Sequence, residues 1–237
     1  MKSNRLITFG CSYTYGMGLP DCYDVVTGKE GNVPSQQGWP SIVADVLNLI
    51  IINKGQCGAS NLEILYEILN FDFEDNDTVV VMWTHHNRDL IFSKFKFQNL
   101  FKGCKLSQFT KSFRQLSVWQ KDTVAINWQR RLNEYDYIQK SWIYVNHADL
   151  YLKSKNVKYI HYPATPEQFL NNTTLLKNID LSNFYLYGFV VVDKGLDSHP
   201  GIESNRQTAK NIIKILKDVP ITTKKYQSRL YTEKVRI

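Results

Sequence analysis

Along this chain, short and nearly continuous apolar runs alternate with longer stretches in which apolar residues recur every three or four positions. LITF (6–9) reads as a buried strand that ends at Gly10. WPSIVADVLN (39–48) has Ile42, Val43, Val46 and Leu47 at helical spacing, with Pro40 near the start where its missing N–H costs nothing. LIIIN (49–53) predicts a second strand, and NLEILYEILNF (61–71) returns to helical spacing at Leu62, Leu65, Ile68 and Leu69. TVVVMW (78–83), rich in β-branched residues, predicts a third strand, and VKYIHY (157–162) a fourth, halted by Pro163. FYLYGFVVV (184–192) is a candidate fifth, weakened by Gly188, and ESNRQTAKNIIKILKD (203–218) predicts a long amphipathic helix.

Strands that are apolar on both faces and separated by helices imply a parallel sheet covered on both sides. The expected fold is therefore α/β: a doubly wound, flavodoxin-like parallel sheet of about five strands flanked by helices. In such a sheet the functional site lies at the carboxyl ends of the strands. Residues 1–237 are expected to form a single domain. Residues 91–156 break the rhythm, being far longer than one crossover helix needs. They read as a basic, aromatic-rich, mostly helical insertion after the third strand, packed over or beside the site.

Composition narrows the class. A hydrophobic content of 43% with 22% charged residues is that of a soluble globular protein. No run approaches the roughly 18 apolar residues of a membrane span. MKSNRLITFG lacks the long apolar core of a signal peptide, so a cytoplasmic location is expected. Cys11, Cys22, Cys57 and Cys104 lack CxxC spacing, which speaks against zinc or dithiol chemistry, and no cofactor is implied. The net charge of +7 is concentrated. Between Lys94 and Lys140, ten basic side chains face three acidic ones, and a second basic run extends from Lys224 to Arg236. Two solvated basic faces account for this pattern, and so does an anionic partner such as a phosphate-bearing glycan, nucleic acid or an acidic protein.

Four clusters at predicted strand ends could carry chemistry. GCSYTYG (10–16) follows the first strand, and a serine there can expose its hydroxyl at the rim of the sheet. NKGQCGASN (53–61) follows the second, where glycines let backbone N–H groups turn outward near a helix start; Ser60 or Asn61 could equally be a plain N-cap. WTHHNRD (83–89) follows the third, offering an amide or imidazole. Adjacent histidines point apart on regular backbone and no HExxH accompanies them, so no metal site is expected. DKGLDSHPG (193–201) places His199 in a loop beside carboxylates, suited to general-base work.

Taken together and in this order, the four clusters resemble the conserved blocks of the SGNH/GDSL hydrolase superfamily, over Phe9 to Gly201. That resemblance implies Ser12 as nucleophile, His199 as its base and Asp197 as the carboxylate that orients the base. It implies an oxyanion hole from the N–H groups of Ser12 and Gly58 and the side chain of Asn87, or of His85 if the turn is shorter. Three departures stand out: Cys11 replaces the usual Asp before the serine, the third block lacks Gly-x-Asn-Asp, and the Asp lies two residues before the His, with Asp193 as a fallback. The implied activity is ester hydrolysis through an acyl-enzyme, on a small molecule or an O-acetylated carbohydrate. The alternatives are acyl transfer by the same triad, a catalytically weakened binding or structural protein in a larger assembly such as a viral particle or a polysaccharide pathway, and nucleic-acid binding by the basic stretch.

Overall fold

The computed structural model describes residues 4–92, 113–116, 134–155, 157–170 and 181–217. In chain order the elements are β1 (Arg5–Gly10), α1 (Ser12–Tyr15), β2 (Tyr23–Asp24), β3 (Lys29–Glu30), α2 (Trp39–Leu47), β4 (Ile50–Gly55) and α3 (Asn61–Leu69). There follow β5 (Thr78–Trp83), β6 (Asp89–Phe92), β7 (Phe113–Leu116), α4 (Glu134–Ser154), β8 (Lys158–Pro163), α5 (Glu167–Leu170) and α6 (Ile202–Leu216). Strands β4, β1, β5 and β8 form one parallel sheet in that order. The reversal of strand order about β1 is the mark of a doubly wound sheet.

Alternation along the strands divides the core into two layers. Val79, Val81 and Trp83 of β5, with Ile7 and Phe9 of β1, pack under α3 and α4 through Ile64, Ile68, Trp142, Val145 and Leu152. Val80 and Met82, with Leu6 and the β8 residues Ile160 and Tyr162, pack under α2 and α6 through Trp39, Val43, Ala209 and Ile212. The strands are apolar on both faces because each face is covered by a helix pair. The α/β sheet flanked by helices is thus as expected.

One expectation changes in detail. The candidate fifth strand contributes only an isolated parallel bridge, Phe184 to His161. Gly188 adopts a left-handed φ of 71°, and a Cβ there would sit 2.6 Å from Pro166 Cδ, so the chain turns away from the sheet. The N–H groups beyond it then bond to hydroxyls of α6: Val190 to Thr208 Oγ1, and Val192 and Asp193 to Ser204 Oγ. In the stretch 91–156, Glu134–Ser154 is the crossover helix between β5 and β8, and Trp142 is fully inside the core. The stretch also supplies most of a two-stranded antiparallel ribbon, β6 with β7. Residues 93–112 and 117–133, which hold most of its basic and aromatic side chains, lie outside the described residues, as does the basic run from Lys224. Among the described residues, no helix is long and apolar enough to cross a membrane.

Candidate active site

The end of β1 is shaped by a one-turn helix. Thr14 and Tyr15 both donate to the Cys11 carbonyl, and Gly16 closes the turn in the left-handed region. Gly10 permits the tight packing this needs, because a Cβ would fall 2.1 Å from Thr14 Oγ1. The turn is tied to β4 by Asn53, whose Nδ2 donates to the Thr14 carbonyl while its Oδ1 accepts the Gly55 N–H. Ser12 is thereby fixed at the strand's carboxyl end.

His199 reaches it from the loop before α6. Its Nε2 lies 3.1 Å from Ser12 Oγ, and its Nδ1 lies 2.8 Å from Asp197 Oδ2. The spacing of two residues works because Ser198 takes a left-handed φ of 75° and the Asp197 carboxylate folds over its own turn. Oδ1 accepts the backbone N–H of His199 while Oδ2 meets its ring. With the proton on Nδ1 facing Asp197, the Nε2 lone pair faces the serine O–H, an arrangement that can take the hydroxyl proton during attack. Asp193 is engaged elsewhere: it accepts the N–H groups of Glu203 and Ser204 at the start of α6. Burial opposes its ionisation, yet these bonds and that of the Ser204 hydroxyl outweigh burial and hold its carboxyl below the usual range. It caps the helix and does not serve His199.

Gly18 holds the His loop. Its carbonyl accepts the Leu196 N–H at 2.8 Å, its φ is 83°, and a Cβ would sit 2.0 Å from Asp197 Oδ1. Nothing in the four sequence blocks marks this glycine; its only signal is the Gly-x-Gly of 16–18.

In the glycine block, Gly58 has a left-handed φ of 80° and Ser60 forms a capping box with Glu63. Ser60 is therefore the cap, and Asn61 does something else. Its carboxamide pairs with both the N–H and the carbonyl of Thr84, and also donates to Ser141. This buried clamp joins the glycine block to the turn after β5, and the sequence reading passed over it. In that turn, His85 Nδ1 lies 3.1 Å from Gln168 Nε2, and Asn87 Oδ1 is buried without a partner among the described residues. Tyr13 lines the site: its ring meets those of Phe189 at 4.9 Å, His199 at 6.0 Å and His85 at 6.5 Å. Burial, followed by the Glu30 charge, pushes the Cys57 thiol up to about 12, so the cysteine beside Gly58 stays protonated and is a poor competitor to the serine. Among the described residues, no group of three or more His, Cys, Asp or Glu could hold a metal ion.

No family model matches the chain, and no curated protein does. Solved structures do. A carbohydrate esterase whose active site displays divergent catalytic and non-catalytic binding functions matches with a TM-score of 0.51 and 15% identity, over 92% of this chain and 66% of that one. An acetyl xylan esterase from the rumen bacterium Butyrivibrio proteoclasticus matches with a TM-score of 0.53 and 13% identity, over 92% and 64%. A member of the lipolytic protein G-D-S-L family from Veillonella parvula DSM 2008 also matches, at 16% identity over 91% and 99%, with a TM-score of 0.34. The chain spans just under two thirds of the length of the two esterases. At these identities the likeness to the two esterases shows a shared α/β fold and no more.

Proposed function

We propose that this chain is a serine hydrolase that cleaves an ester, an O-acetyl group on a carbohydrate, through an acyl-enzyme. The observation that carries this reading is the continuous contact Ser12 Oγ to His199 Nε2 to Asp197, with spacings of 3.1 and 2.8 Å. In the proposed reaction Ser12 Oγ attacks the ester carbonyl while His199 takes its proton, then returns it to the departing sugar oxygen. Water, activated by the same imidazole, releases the acyl group. The N–H groups of Ser12 and Gly58, with a side chain from His85 or Asn87, receive the developing oxyanion. Acetyl xylan is what one structural match is named for, and the aromatic wall of Tyr13 and Phe189 gives a sugar ring a surface to pack on. We further take residues 1–237 to act as one domain, with the basic part of 91–156 available to an anionic partner. A cytoplasmic setting agrees with the free thiols of Cys11, Cys22 and Cys57.

A fluorophosphonate probe tests this. Wild type should be labelled and should release acetate from acetylated glycans, and Ser12→Ala should do neither. A folded wild type that resists the probe would remove the reading. A second reading, binding without efficient turnover, is favoured by the absence of Gly-x-Asn-Asp in the third block. One matched esterase itself combines catalytic and non-catalytic binding functions. Saturable glycan binding with no acetate release would select it.

A further inference from the structure

The turn after β5 carries an imidazole whose tautomer is dictated by a residue outside all four blocks. Gln168, in α5, has its carboxamide oriented by the backbone: Oε1 accepts the His86 N–H at 3.3 Å. Nε2 is thereby turned toward His85 and lies 3.1 Å from its Nδ1. An amide nitrogen donates and does not accept, so Nδ1 must be the acceptor and the ring proton must sit on Nε2. The Thr165 hydroxyl, 3.4 Å from the same Nδ1, can donate there too. Burial, and next the Arg88 charge, hold the His85 imidazolium below the usual histidine range, so the ring is neutral at neutral pH. The ring that carries this N–H packs against Tyr13, with centroids 6.5 Å apart. Its plane is nearly perpendicular to that of Tyr13, the residue after the nucleophile, and Tyr13 in turn meets the His199 ring edge-on.

We propose that His85, held as its Nε2–H tautomer by Gln168, is the side-chain donor of the oxyanion hole, with Gln168 as its positioning residue. The inference rests on the hydrolase reading above. A neutral imidazole N–H is chemically equivalent to the amide N–H that an asparagine would offer, and it stabilises an oxyanion without a net charge to neutralise the attacking system. Asn87 has no matching support: its Oδ1 finds no partner among the described residues, so that end of its amide is unanchored.

The test is nitrogen-15 NMR of the full chain with labelled histidine, before and after reaction of Ser12 with a fluorophosphonate, whose phosphoryl oxygen occupies the oxyanion position. His85 should carry its proton on Nε2 across neutral pH, and that resonance should move when the adduct forms. Gln168→Glu keeps an acceptor for His86 but replaces the donor with a second acceptor. The proton should transfer to Nδ1, and kcat should fall about tenfold with KM little changed, whereas His85→Ala should lower kcat about hundredfold. A wild-type His85 protonated on Nδ1, an unchanged tautomer in Gln168→Glu, or a larger kcat loss in Asn87→Ala than in His85→Ala would each overturn the proposal. Failure of Ser12 to form the adduct while His85 keeps its Nε2 proton would instead strike the hydrolase reading, and the donor role with it.

Discussion

Two aspartate–histidine pairs are seen among the described residues, and they differ in what the second ring nitrogen meets. Asp149 and His161 lie in the core between α4 and β8, with Asp149 Oδ1 3.6 Å from His161 Nε2. His161 Nδ1 accepts the indole N–H of Trp83, while Asp149 also receives Tyr159 and Lys153. Nδ1 of His161 is thus committed to Trp83, Nε2 faces the Asp149 carboxylate beyond hydrogen-bond distance, and the ring is sealed from solvent. Asp197 and His199 lie at the rim, where one nitrogen faces a carboxylate and the other a serine hydroxyl. A carboxylate beside an imidazole is therefore no sign of a base by itself. In the first pair it completes a buried polar network; in the second it leaves one lone pair free for a proton.

The sharpest way to break this comparison is to remove each histidine in turn. His199→Gln should lower ester turnover by about four orders of magnitude with little change in thermal midpoint. His161→Leu should do the reverse: the Trp83 N–H loses its acceptor and Asp149 a partner, at a cost of about 3 kcal/mol, while activity per folded molecule persists. Equal activity losses in the two variants would erase the distinction. Next in size, Gly18→Ala should force Asp197 away from His199. We expect a fall in kcat of about hundredfold, read by steady-state kinetics, with labelling of Ser12 slowed but not abolished.

The buried pair also sets an acid limit. Burial holds the His161 imidazolium below its usual range, so the unfolded chain takes up that proton first as pH falls. Stability should thus decline as pH drops below about 6.5, the unfolded histidine value. Burial opposes ionisation of Asp149, but its bonds from His161, Lys153 and Tyr159 outweigh burial and hold the carboxyl low, a contribution present above about pH 4 and lost below it. Thermal midpoints measured against pH should show a shallower slope between about pH 6.5 and 5 in His161→Leu than in wild type. The smallest effect belongs to Ser198, whose left-handed backbone lets Asp197 fold onto its own loop. Ser198→Gly should change stability by less than about 1 kcal/mol and leave turnover intact, because glycine adopts that conformation without strain.

How much of this could be read in the residues depends on whether the signal is local. β1, β5 and the helices α2, α3 and α6 follow directly from apolar spacing, because each buries a face of fixed period. Ser12, Asp197 and His199 sit at turns whose composition is itself distinctive. Gln168 and Asn61 could not be found that way. Each acts on a partner 83 or 23 residues distant, and each is an ordinary amide in an ordinary helix. The run ending in Val190, Val191 and Val192 misled for the opposite reason. Its β-branched residues suit a strand, but Gly188 turns the backbone and the hydroxyls of Ser204 and Thr208 offer its N–H groups another home.

Those hydroxyls have a consequence beyond local geometry. Among the described residues β8 is the last strand of the sheet, and the outer edge of such a strand presents main-chain donors and acceptors to a neighbouring chain. The segment that begins with Asn183 and Phe184 meets that edge at His161, through the Asn183 carbonyl and the Tyr185 N–H, and again just past β8, where the Phe189 N–H donates to the Ala164 carbonyl, before it passes onto α6. The segment leading into the His199 loop thus occupies part of the β8 edge before it reaches α6. Substitutions that loosen it should show themselves first as precipitation on concentration and only later as altered chemistry.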